Sequence, residues 1–253
     1  MEVYMFRHAR VVALSLILIL LPALVSAGLA DLEKATKNGK VVFAVVFEPG
    51  NAGLDDARSL ASGAAAKTGN AVMIDIDRTS PETAQFLYKY RLSFAPVPFV
   101  MVFDASGVLA GVSPAADKTV EDLVQLVPSP KKTEVLRALY SRKSVFITAM
   151  REGMAMKDDI SKRCLEACNQ LNGKAAYVKI DLNDEKELSF LKQLQVNPKS
   201  TDPVTVVINT RGQITGSYAG MVETTALVSS AATAAGGGCC PGGGGGKGCA
   251  VPR

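Results

Sequence analysis

Apolar residues come in short blocks along this chain, and the blocks keep a steady order. In "LADLEKATKNG", Leu29, Leu32 and Ala35 repeat on one face and Asn38-Gly39 supplies a stop, which predicts a short helix. "KVVFAVVF" has no charge after Lys40 and predicts a buried strand. A turn-like "EPGNAG" leads into an Ala-rich helix from Leu54 to about Lys67, and "NAVMIDID" predicts a second strand. "SPETAQFLYKY" offers Ser80 as N-cap and Pro81 at the first helical position. "SFAPVPFVMVFDASGVLAG" reads as strand, turn at Ser106-Gly107 and strand, and "DKTVEDLVQLV" as a closing helix.

The same order returns after "PSPKK", residues 128–132, which reads as a linker. "TEVLRALYSR" is a helix, and "KSVFITAM" aligns with "KVVFAVVF", Phe43 and Phe146 being 103 positions apart. Asp75 and Asp181 differ by 106, while Pro98 and Pro203, like Gly107 and Gly212, differ by 105. Landmarks held at so constant an offset predict a duplicated α-β-α-β-α-β-β-α domain, residues 28–127 and 133–235.

The two ends change the picture in different ways. "MEVYMFRHAR" is basic, "VVALSLILILLPALVSA" is apolar, and Val25-Ser26-Ala27 presents small residues before Gly28, the order of a secretory signal over residues 1–27. The alternative is an uncleaved membrane anchor, since Val11 to Ala30 approaches a spanning length. An exported chain, periplasmic or extracellular, is the expectation. Losing Arg7, Arg10 and Glu2 lowers the net charge of +4 by one, too little to argue for a nucleic-acid partner. His8, the single histidine, lies in the signal, which excludes Ser-His-Asp, Cys-His and zinc-protease chemistry from the mature chain. At the other end, residues 236–253 are Gly-rich, read as a disordered tail, and hold Cys239, Cys240 and Cys249 among only five cysteines.

Both halves resemble the thioredoxin-like superfamily. The resemblance rests on the strand-turn-helix start, the Asp-bearing strand "IDID" or "KIDL", and a proline ahead of an apolar strand that ends in a Gly turn. It implies an α/β fold class, a tandem duplication with a central mixed sheet flanked by helices in each half. It also implies that Pro98 and Pro203 are cis and border a groove, with Val97 and Asp202, along which an extended peptide can lie. The superfamily carries Cys-x-x-Cys where the first strand meets the next helix, because that helix terminus stabilises a thiolate. Here the two junctions read "FEPGNAGLDD" and "MREGMAMKDD", without cysteine, and the chain has no tryptophan.

The remaining thiols offer weaker leads. Cys164 and Cys168 fall with Ile160, Ala167 and Leu171 on the inward stripe of a helix, which reads as core packing. Met150, Met154 and Met156 could add to them as a soft-metal pocket. Asp55-Asp56 and Asp158-Asp159 sit at helix starts and read as partners of the helix dipole. "GGGGG" at 242–246 lacks the Lys-Ser/Thr ending of a phosphate loop, and no cofactor is indicated. The expected role is a binding or scaffolding module for a protein or peptide. The alternatives place thiol-disulfide exchange, through a mixed disulfide, or soft-metal binding on Cys239, Cys240 and Cys249.

Overall fold

The computed structural model describes residues 27–233. The expected signal up to residue 26, most of the anchor alternative and the tail with Cys239, Cys240 and Cys249 lie outside the described residues; Ala27 and the anchor's last residues belong to the first helix.

The first half runs α1 (Ala27–Lys37), β1 (Val41–Phe47), α2 (Leu54–Thr68), β2 (Ala71–Asp77), α3 (Pro81–Lys89), β3 (Phe99–Phe103), β4 (Leu109–Pro114) and α4 (Val120–Val124). The second repeats it as α5 (Pro130–Tyr140), β5 (Ser144–Met150), α6 (Lys157–Gln170), β6 (Ala175–Asp181), α7 (Leu188–Gln193), β7 (Val204–Ile208), β8 (Ile214–Ala219) and α8 (Thr224–Ala232), with a 3-10 turn at Glu185–Glu187. The sheet orders are β2-β1-β3-β4 and β6-β5-β7-β8. In each half the first pair is parallel and the other two antiparallel, the thioredoxin-like arrangement.

The uncharged strands are central because both their faces meet core. On β1, Val42, Ala44 and Val46 point into one apolar cluster with α1 and Leu87, and Phe43 and Val45 into another with α2 and Leu123. On β5, Val145, Ile147 and Ala149 face one cluster, and Phe146 faces Ile160, Cys164 and Leu227 across the sheet. Alternation of side chains along a strand, with a helix on each side, produces this division.

Side-chain acceptors fix the turns and helix starts, among them the expected cap at Ser80. Ser80 caps α3, accepting from Thr83 N at 3.3 Å. Asp104 ties its hairpin by accepting from Ser106 N and Val108 N at 2.9 Å each, and Asn209 does the same for Arg211 N and Gln213 N at 3.0 Å. The closing helix α4 is short, starting at the Thr119–Asp122 capping box and ending at Val124. The segment read as a linker is largely helix: Ser129 caps α5 and Pro130 opens it. Pro130 fits there because the first helical turn needs no N–H from it.

Two long-range contacts hold this junction. The Glu187 carboxylate, 1 % exposed, accepts from Ser129 Oγ and, at 3.0 Å, from Lys131 N, so a side chain of the 3-10 turn completes the N-terminus of α5. Tyr140, at the other end of α5, donates to the carbonyl of Leu109 on β4 at 3.1 Å.

Candidate functional site

The turns from β1 to α2 and from β5 to α6 share one backbone design. Gly50 and Gly153 both have positive φ, 84° and 82°, and so do the cap residues Gly53 and Met156, at 77° and 61°. Inside each turn a side chain three residues on accepts the first N–H: Asn51 Oδ1 takes Glu48 N at 2.8 Å, and Met154 Sδ takes Arg151 N at 3.4 Å. A thioether is a weak acceptor, but it occupies the same place. Neither helix cap has a side-chain hydrogen bond, and Asp55-Asp56 and Asp158-Asp159 fall in the first turns, where their charge opposes the dipole.

These turns face the loops that lead into β3 and β7. Val97–Pro98 is the one cis peptide bond among the described residues. Asp202–Pro203 is trans, a correction to the expectation that both prolines are cis. Trans is the favoured form of an X-Pro bond by about 0.5–1 kcal/mol, and a proline at a matching offset does not by itself call for the cis form. Ser200 Oγ donates to Asp202 O at 2.8 Å, and Pro203 O accepts from Gly220 N at 2.8 Å. Burial differs too: Val97 and Pro98 are both half-buried, whereas Asp202 is exposed and Pro203 is covered. Of the residues expected to line a groove, Val97 and Pro98 therefore present surface together, and Asp202 and Pro203 do not.

An arginine holds each loop. Arg78, just past β2, donates through Nη1 to Ala95 O at 2.6 Å and through Nε to Glu48 Oε1 at 2.8 Å, its Nη2 adding a further contact to that carboxylate. In the second half the residue after β6 is Leu182, and Arg151 of the turn itself donates through Nη2 to Pro198 O at 2.8 Å and Ser200 O at 2.9 Å. Ala95 and Ser200 each lie three residues before the loop proline. The same carbonyl thus receives a guanidinium in both halves, from different places in the chain. Sequence reading missed both arginines, since the positions do not align.

The described thiols are poorly placed for chemistry. Cys164 is fully buried, with Sγ 3.5 Å from Thr148 Oγ1, and burial pushes its pKa up. Cys168 is half-buried, and burial followed by the neighbouring Cys164 pushes it up to about 11. Both prefer the protonated form that neither attacks a disulfide nor binds metal. The suggested pocket of thiols and methionines does not form as drawn: Met154 packs on the Val135–Ile147 side of the sheet, Cys164 and Cys168 lie on the other, and Met156 is exposed. Among the described residues no cluster of His, Cys, Asp and Glu could hold a metal ion, and no helix is long and apolar enough to cross a membrane.

No protein-family model matches the sequence, and no curated protein matches it. Among solved structures the chain is similar to the first two thioredoxin domains of Naumovozyma dairenensis Eps1p, at 11% identity over 77% of this chain and 91% of that one, with a TM-score of 0.30. It is similar to the NTD_N/C domain of the alkylhydroperoxide reductase AhpF from Enterococcus faecalis, at 13% identity, 80% and 98% coverage and a TM-score of 0.30. Human ERp44 follows at 10% identity, 80% and 53% coverage and a TM-score of 0.33. The fold assignment rests on strand order and pairing within each half.

Proposed function

We propose that this tandem of thioredoxin-like folds is an exported binding or scaffolding module that takes an extended protein or peptide segment along the groove beside Val97 and Pro98. One observation carries the reading: the loop into β3 presents half-buried apolar residues beside a turn that holds no thiol, and Arg78 ties that loop and turn together. A groove with a fixed loop gains affinity because little ordering is left to do on binding. The described thiols add support, since both are held protonated.

The test uses the full chain in an insulin-reduction assay and in fluorescence polarisation against short labelled unfolded peptides. Peptide binding lost on Val97→Asp, without catalysed insulin reduction, supports the module. Catalysis at a rate approaching that of a thioredoxin overturns it.

A second reading is favoured by one sequence fact, the concentration of Cys239, Cys240 and Cys249 in an otherwise cysteine-poor chain. In it these thiols exchange disulfides with a partner or bind a soft metal. Deleting residues 236–253 then abolishes exchange while the fold is kept, and no change on deletion removes this reading.

A further inference from the structure

Phe94 is 98% exposed, and its surroundings explain how a phenylalanine comes to stand in water. Leu92 N bonds back to Leu87 O at 2.9 Å as α3 ends, with Arg91 at a φ of 60°. Ala95 N then bonds to Leu92 O at 3.1 Å, which closes a tight turn with Ser93 and Phe94 at its tip. Arg78 grips the carbonyl of Ala95, so the tip is braced. The aromatic ring is presented on a fixed support.

Its flanks carry charge of one sign. Tyr88 is 79% exposed, Lys89 and Arg91 are exposed, and neither cation has a carboxylate partner among the described residues. The nearby Glu48 is already paired with Arg78. Beside the tip lies a depression of about 270 Å³, lined by Glu48, Arg78, Thr79, Ala84, Leu87 and Ser93. The second half has no counterpart: counting back from the loop proline, "FAPV" is replaced by "KSTD", with Lys199 where Phe94 stands.

We propose that the braced turn at Phe94, with Lys89 and Arg91, is a subsite of the first half that binds an extended peptide carrying an apolar or aromatic residue next to acidic residues. This rests on the peptide-binding reading and names the partner's chemistry and the half that takes it. Complementarity decides the occupant: Lys89, 5.4 Å from the centre of the Tyr90 ring, and Arg91 have no salt-bridge partner among the described residues, and two such cations beside an exposed aromatic call for carboxylates beside an apolar side chain. The depression between Leu87 and the Glu48–Arg78 pair receives that side chain. A rigid aromatic at an interface centre is the kind of residue that dominates binding.

The experiment measures fluorescence polarisation of the full chain with short fluorescein-labelled peptides in which Leu and Phe alternate with Glu, or with Lys. The Glu peptide binds, and Phe94→Ser weakens it by about tenfold or more. The charge reversal K89E/R91E transfers preference to the Lys peptide, and salt weakens the Glu peptide most. Circular dichroism reports the fold, which these exposed positions leave intact. If binding is lost in Val97→Asp but indifferent to Phe94→Ser and to charge reversal, this inference fails and the groove reading stands. If no peptide binds, both fail. Phosphatidylcholine vesicles with and without phosphatidylglycerol form a second arm, and capture by the anionic vesicles alone overturns the peptide in favour of a lipid surface.

Discussion

Arg78 reaches the carbonyl of Ala95, and with that bond it joins the end of β2 to the loop that enters β3. Arg151 performs the same service for Ser200 from the β5–α6 turn, and adds Pro198. Hydrogen bonds from a charged donor are worth about 1.5–3 kcal/mol each. Arg151→Leu removes two at once and is expected to cost about 3 kcal/mol or more, because the carbonyls are left short of donors in a partly covered site. A fall in the urea midpoint at unchanged slope reports it. A shift within error would mean the arginine is ornamental.

Glu187 is a buried carboxylate whose partners are Ser129 Oγ and the backbone N–H of Lys131. Glu187→Ala is expected to destabilise the chain by about 2–3 kcal/mol, through orphaned donors at the start of α5 and the space left behind. Glu187→Gln keeps one acceptor and should lose less. An unchanged midpoint for Glu187→Gln would show that packing alone matters there, and equal losses for the two variants that the charged carboxylate carries the whole effect.

The thiols give a prediction in pH. Cys168 is pushed from the ordinary 9.0 up to about 11 by burial and by Cys164. Below both values the folded and unfolded chains hold the proton alike, and no stability is at stake. Between them the unfolded chain has released its proton and the folded chain has not, so stability falls as pH rises through that window. Cys168→Ala should remove this part of the decline, measured as urea midpoints from about pH 8 to about pH 10.5 against the parent chain. Alkylation by iodoacetamide at about pH 8 should likewise spare Cys164 and Cys168 in the native state and label them in urea. Rapid native labelling of either would contradict the burial described.

Gly28 is small for a reason of contact. A Cβ built there would lie 2.1 Å from the carbonyl oxygen of Asp75, where α1 crosses β2. Gly28→Ala must push helix and strand apart, an overpacking cost of about 1–3 kcal/mol. A thermal shift of the first half's unfolding checks it, and a neutral result would place α1 farther from β2.

How much of this was legible in the sequence depends on what each feature requires. "VVFAVVF" and "SVFITAM" are short, uncharged and rich in β-branched and aromatic residues, which favours a doubly covered strand, so β1 and β5 were readable from the sequence. Ser80-Pro81 was readable as a helix start, and Ser129-Pro130 carries the same signal, masked by the habit of reading Pro, Ser and Lys between repeats as linker. Ile160, Cys164 and Ala167 fell on the buried stripe, as helical spacing dictated. The arginine clamps, the Glu187 cap and the exposure of Phe94 were not readable. Each depends on residues brought together by the sheet, and in the arginine case on two halves that solve one problem from unmatched positions. The state of the Asp202–Pro203 bond was equally out of reach, since a proline at a matching offset does not specify its isomer.

The swapped origin of the two guanidinium contacts limits how the halves can be recombined. Grafting "REGMAM" in place of "EPGNAG" would bring a second arginine against Arg78 and remove the acid that balances it. The reverse graft would leave the carbonyls of Pro198 and Ser200 with no cation at all, because Leu182 cannot supply one. The two repeats share a blueprint, yet their parts are no longer interchangeable.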